Sequence, residues 1–165
     1  MDSNSVNLVE FIPAVYRASL EGKPLYECDS ELGKVKVVDV ERVNCRSLLI
    51  GDQFAACMEL ASGKSIFRQI SHMEKTYLKE LPEAPRCLVI GHGGGLMHKA
   101  ILEAKPNATV VSIDILPELF FVAREYFKCP ANVVCIEGDG LEKTKELLGG
   151  FDLIYMDAFV DKEHN

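Results

Sequence analysis

The chain has 165 residues, 48% of them hydrophobic, and a formal net charge of −7. That length suits one domain, or one domain with a small appendage, and the apolar content is ample for a core. The acidic balance argues against nucleic acid or an anionic membrane as partner. No apolar run reaches membrane-span length, and residues 1–10 lack the basic start and apolar centre of a signal peptide.

The six cysteines, at positions 28, 45, 57, 87, 129 and 135, contain no CxxC pair and mostly lie in apolar runs. They read as buried, reduced thiols of a cytoplasmic protein, with no metal site.

Taken in order, residues 1–10 read as a frayed start, and Asn7–Ser19 as a short helix whose continuity Pro13 opposes. From Pro24 to Leu60 the pattern changes to short β-prone runs: Leu25–Glu27, Lys34–Val38, Arg46–Ile50 and Phe54–Leu60. Turn-forming segments at 29–33, 41–44 and 51–52 separate them, which predicts an antiparallel meander. Ile66, Phe67, Ile70, Met73, Tyr77 and Leu81 then fall on one helical face, ended by Pro82 and Pro85.

The central stretch follows. Cys87–Ile90 is a wholly apolar strand, as expected when both faces are covered. It runs into Gly91-His92-Gly93-Gly94-Gly95, then a helix carrying Leu96, Met97, Ala100, Ile101 and Ala104 on one face. Thr109–Ile113 is a second strand, ending on Asp114. Pro117 opens a helix through Phe127, Asn132–Ile136 is a third strand leading to Glu137-Gly138-Asp139-Gly140, and Leu141–Leu148 a charged helix. Phe151–Met156 is a fourth strand, ending in Asp157-Ala158-Phe159.

The fold class is therefore α/β. A Rossmann-like parallel sheet, with four strands in the order 3-2-1-4, is preceded by a small antiparallel β-region. The expected division is residues 1–62 for the N-terminal segment and β-region. Residues 63–165 form the nucleotide-binding part, which is incomplete at its C-terminus.

Strand, glycine turn, helix, strand and acid are the physical parts of a nucleotide site. Glycine amides and a helix N-terminus face the polar ligand, and a carboxylate accepts from ribose hydroxyls. Gly91, Gly93 and Gly95 give a GxGxG turn, with Leu96 where a dinucleotide fingerprint has its third glycine. A nicotinamide-dependent oxidoreductase is the weaker reading for that reason. Asp114, Asp139 and Asp157 each follow a strand and are expected on one sheet edge, although each also fits a helix-capping role. By reach, Asp114 holds the ribose and Asp139 accepts from the exocyclic adenine amine. Asp157 stands nearest the reacting end, with Tyr155 on its face. His92 is expected to point away from the ligand. His72 and His98 have no ligand-spaced partner, and no hydrolase triad or zinc motif occurs.

With these motifs in this order, from about Pro24 to Phe159, the chain resembles the spermidine synthase-like group of Rossmann-fold transferases. The resemblance rests on the meander into Arg46-Ser-Leu-Leu-Ile-Gly-Asp, then LVIGHGGG, SIDI, EGDG and FDLIYMDAF. It implies S-adenosylmethionine or its decarboxylated form as donor. The cofactor contacts it implies are Gly91, Gly93, Asp114 and Asp139; the same motifs add Gly95, Ile115 and Gly140 as expected cofactor contacts, and the strand-end position makes Asp157 the expected catalytic residue.

The departures are specific. Aminopropyltransferases of the group carry GGGDG where Gly94 stands, a glutamine where Ala55 falls, a DE…YHE signature and a DxxDP loop. These absences favour methyl transfer to an unidentified acceptor. Aminopropyl transfer in polyamine biosynthesis is the alternative, and a non-catalytic cofactor- or partner-binding fragment is the third reading. The expected partners are a small-molecule donor and an amine or other nucleophilic acceptor, with a homodimer left open. Such sheets usually have about seven strands, so the chain reads as a fragment or a truncated relative.

Overall fold

The computed structural model describes residues 8–147 and 149–158. The expected frayed start, Leu148, Phe159 and the polar tail lie wholly or mainly outside them. The meander consists of β1 (Pro24–Ser30), β2 (Gly33–Val40), β3 (Cys45–Ile50) and β4 (Gln53–Glu59), antiparallel and adjacent in chain order. Both faces of β2 are covered, which explains its run of valines. Val35 and Val37 point into a core shared with Leu48 and Met58, whereas Val40 joins Cys45 and Cys57 on the opposite side.

That opposite side is covered by α1 (Leu8–Glu21), which contains Pro13 without breaking. An interior proline removes one helical hydrogen bond and costs about 3 kcal/mol in an isolated helix. Here docking offsets it. Val15 is buried, and Ser19 Oγ donates to the Val15 carbonyl oxygen at 2.7 Å and lies 2.8 Å from Ser47 Oγ on β3.

The predicted helix over Ile66–Leu81 is shorter than its periodicity suggests. Only α2 (Arg68–Thr76) is α-helical, followed by a 3₁₀ turn at Leu78–Glu80. Ser65 bridges Met58 of β4, which holds Ile66 and Phe67 outside the helix and against the core beneath α1. Tertiary pairing thus overrides the 3.6-residue pattern at both ends of this segment.

The parallel sheet contains β5 (Arg86–Ile90), β6 (Thr109–Asp114), β7 (Val134–Glu137) and β8 (Leu153–Met156), in the order β7-β6-β5-β8. This is the expected 3-2-1-4 order, with β8 directly beside β5. The chain steps outward from β5 to β7 and then crosses back, so the direction reverses between β5 and β8. On one face, α3 (Leu96–Ala104) and α2 pack through Met97, Ile101, Ile70 and Met73 onto Cys87 and Val89. On the other, α5 (Gly140–Glu146) packs against β6, and Leu147 and Phe151 cover Leu88, Ile90 and Ile113. Ile154 and Met156 of β8 point to that second face and are 58% and 71% exposed.

Between meander and sheet, α4 (Glu118–Phe127) contributes Leu119, Val122 and Phe127 to the core of β2 and β3. Arg46 of β3 fixes this junction. Its guanidinium holds both Asp39 carboxylate oxygens at 2.7 and 2.9 Å and donates to the Tyr126 carbonyl oxygen at 3.0 Å. The meander therefore shares its apolar core with α4 and with Leu96 and Leu116 beside the sheet. All six cysteines are free, and no helix among the described residues is long and apolar enough to cross a membrane.

Candidate functional site

The site is built where β5 ends. The Gly91 N–H donates to the Ile113 carbonyl oxygen of β6, and the Asp157 N–H to that of Ile90, each at 2.8 Å. Gly91 has φ +94°, and a Cβ placed on it would stand 2.5 Å from the Asp157 carbonyl oxygen. Glycine is required there by conformation and by space. Above Gly93 the surroundings are open, with nothing nearer a built Cβ than the Ala55 carbonyl oxygen at 3.8 Å.

The other glycines have packing reasons. A Cβ on Gly95 would meet Cys129 Sγ at 2.6 Å, and one on Gly94 would meet Ala56 Cβ at 2.8 Å with the Phe127 ring at 3.4 Å. Gly94 is thus pressed into apolar surroundings by the meander, and the acid of a GGGDG turn has no room. A Cβ on Gly140 would fall 2.5 Å from Ile90 Cγ2, so this glycine lets α5 approach the end of β5.

A crevice opens at the reversal point between β5 and β8. It is lined by Gly91, Gly93, Tyr155 and Asp157 from the sheet edge, by Ala55 from β4, and by Gln69 from α2, among others. Among the described residues lining it, Asp157 alone carries a formal charge at neutral pH. His92 and His98 also line it, but burial disfavours their charged forms.

Among the described residues the Asp157 carboxylate accepts no hydrogen bond. It is open to solvent on one side, yet the protein around it pushes its pKa above the usual carboxylate range. The Tyr155 phenol is pushed upward by burial and then by Asp157, as expected of neighbours on one strand face.

Asp114 and Asp139 stand farther along the same carboxyl edge, outside the crevice lining. Asp114 Oδ2 accepts the His92 N–H at 2.5 Å and Oδ1 the Leu116 N–H at 2.9 Å. Burial raises its pKa, while these backbone donors pull it back down. Asp139 is the N-cap of α5, its Oδ1 accepting from Leu141 and Glu142 N–H at 2.9 and 3.0 Å. The capping role is therefore realised at Asp139, and its second carboxylate oxygen is unused by the cap. Ile115 follows Asp114 with 37% of its surface exposed.

Sequence reasoning brought Gly91, Gly93 and Asp157 to one crevice. It missed the walls supplied by Gln69, Ser65 and Phe67, because helical periodicity assigned that segment only to packing. It also missed a buried link between His92, Ser112 and His98. The available signal was a serine inside the apolar run Val110–Ile113, two residues before the strand-end acid. Among the described residues no cluster of metal-ligating side chains occurs.

No family model matches the chain. It is 31% identical over 123 residues to the polyamine aminopropyltransferase of Chromobacterium violaceum, an alignment covering 72% of this chain and 47% of that protein. The proteins of the same name from Neisseria meningitidis serogroups A and B are 29% identical over 124 residues, at the same coverages. The chain thus spans about half the length of the curated relatives it matches.

Its fold resembles the crystal structure of a probable spermidine synthase from Corynebacterium glutamicum, with TM-score 0.71 and 16% identity over 83% of this chain and 53% of that one. The Thermotoga maritima spermidine synthase gives 0.64 and 15%, over 83% and 49% of the two chains. A spermidine synthase in complex with the transition-state analogue AdoDATO gives 0.62 and 14%, over 82% and 48%. The sequence relatives and the shared arrangement of meander and sheet agree: the chain is similar in sequence to polyamine aminopropyltransferases and has the fold of the spermidine synthases.

Proposed function

We propose that this chain carries the donor site and part of the acceptor site of an aminopropyltransferase of the spermidine synthase type. The observation that carries the reading is the charge of the crevice. Among the described lining residues Asp157 is the lone formal charge, and none is a lysine or arginine. The carboxylate of S-adenosylmethionine would meet no cation in this lining and would face Asp157. The decarboxylated donor has only an ammonium tail, which complements it. Methyl transfer, favoured from the sequence motifs, finds no support in the relatives, and the aminopropyl alternative fits them better.

The residues fit such a donor. The open space over Gly93 would admit a ligand against the turn, Asp114 would take the ribose hydroxyls, and the Asp139 oxygen that the cap does not use would take the adenine amine. Ile115 and Leu141 offer exposed apolar surface along the same edge for the base. Gly95 and Gly140 contribute through packing, by setting where α3 and α5 begin.

In aminopropyl transfer the acceptor nitrogen bonds to the methylene carbon beside sulfur. The carbon–sulfur bond breaks to release methylthioadenosine, and the nitrogen loses a proton. Asp157, with its raised pKa and exposed outer side, is placed to orient the amine and take that proton. Alignment of donor and acceptor in the crevice supplies the remaining acceleration by proximity. Incubation with decarboxylated S-adenosylmethionine and an aliphatic diamine should release methylthioadenosine. Binding of the donor without release would leave only the non-catalytic reading for this chain.

A further inference from the structure

Beneath the glycine turn lies a buried polar chain that the proposed reaction does not use. His92 Nδ1 and His98 Nε2 each lie 2.7 Å from Ser112 Oγ. The imidazole centroids are 4.4 Å apart, and Phe120 meets the His92 ring edge-on at 4.9 Å. All three polar residues are buried. Ser112 lies on β6 two residues before Asp114, hence on the same face. His92 is therefore tied to this strand twice, by its ring to Ser112 and by its amide to Asp114.

Counting protons limits the direction of the chain. Ser112 has one hydroxyl proton and two lone pairs, so it donates to at most one of the two imidazoles. Cys129 Sγ lies 3.9 Å from the Pro130 carbonyl oxygen and 4.0 Å from His92 Nε2. With the thiol proton directed to that carbonyl, sulfur accepts from Nε2–H of His92. Its Nδ1 is then the acceptor for the Ser112 hydroxyl. Ser112 Oγ in turn accepts from Nε2–H of His98. Among the described residues His98 Nδ1 has no partner, so the chain ends there on a lone pair.

We infer that His92, Ser112 and His98 are positioning residues. They lock the glycine turn and α3 onto β6 in the shape that presents Asp114 and the turn amides to a nucleoside. The inference rests on the nucleoside-binding reading above. An apolar core could fill this space without needing partners for three polar side chains, so the network's connectivity is its distinguishing product. It joins the turn, the helix after it and the strand bearing the ribose acid.

Nitrogen-15 NMR should show both rings neutral and protonated on Nε2. Ser112→Ala should accelerate hydrogen exchange at the His92 amide and weaken methylthioadenosine binding, each by roughly 10-fold, and Ser112→Thr should restore both. If Ser112→Ala lowers only thermal stability, while affinity and amide exchange stay as in the wild type, the residues are core filling and the inference is overturned. If the wild type does not bind methylthioadenosine, the functional reading fails. Amide exchange then still decides whether the network holds the turn. Should Ser112→Ala fail to fold, His92→Ala removes the ring but keeps the amide, and carries the same two readouts and expectations.

Discussion

A Cβ on Gly91 would stand 2.5 Å from the Asp157 carbonyl oxygen, so the glycine turn and the end of β8 are fitted backbone to backbone. Gly91→Ala must displace β8 or the turn, and it also strains a φ of +94°. Destabilisation of about 2–4 kcal/mol is expected in urea denaturation. Gly93→Ala faces open space and adds only the backbone strain of its φ of +50°, about 1 kcal/mol. Its Cβ projects where the ligand would lie, so it should reduce nucleoside affinity more than stability. Equal stabilities for the two variants would contradict the fitted junction.

Asp114→Ala removes the acceptor of the His92 and Leu116 amides as well as the expected ribose contact. Methylthioadenosine binding should weaken by about 1.5–3 kcal/mol, the scale of hydrogen bonds to a charged group. Calorimetry on a folded variant checks this, and unchanged affinity would take Asp114 out of the site.

The buried histidines predict a pH dependence of stability. Burial, reinforced by Arg124, lowers the His92 pKa to about 4, and His98 is pushed well below its usual value by burial and then by His92. The unfolded chain takes up these protons near pH 6.5, whereas in the folded chain His92 resists until about pH 4 and burial likewise holds His98 neutral. Stability contributed by the neutral rings is therefore complete above pH 6.5 and is lost as pH falls through that window. From pH 7 to 5, His92 alone should account for about 2 kcal/mol of lost stability. Asp114 works in the opposite direction, because its raised pKa lets the folded form accept a proton more readily. Denaturation of wild type and His92→Gln at both pH values isolates the imidazole. Identical losses in the two proteins would remove His92 as the source.

Asp157→Asn keeps the side-chain shape but removes charge and basicity. Methylthioadenosine binding should persist while turnover with a diamine falls roughly 100-fold or more. Full turnover in the variant would refute the proton-accepting role.

Much of the fold was legible because it follows from local pattern. Runs such as Cys87–Ile90 and Thr109–Ile113, interrupted by glycines and prolines, defined parallel strands, and right-handed crossovers then set β8 beside β5. Pro13 and the Ile66–Phe67 pair misled for the same physical reason. A docked face of α1 and the Ser65–Met58 bridge are long-range facts that local pattern does not contain. At the site, the strand-end positions of Asp114, Asp139 and Asp157 were visible from sequence, but their different hydrogen bonding was not. Asp139 caps a helix, Asp114 receives two loop amides, and Asp157 accepts nothing among the described residues. The pairing of His92 with His98 through Ser112 joins three elements, and no spacing rule announces it.

The most direct test of the central claim is calorimetric comparison of decarboxylated S-adenosylmethionine with S-adenosylmethionine on wild type and Asp157→Asn. The uncompensated carboxylate beside Asp157 should make the decarboxylated donor bind at least about 10-fold more tightly to the wild type, and Asp157→Asn should narrow that ratio. Tighter binding of S-adenosylmethionine, or binding of neither compound, would contradict the account.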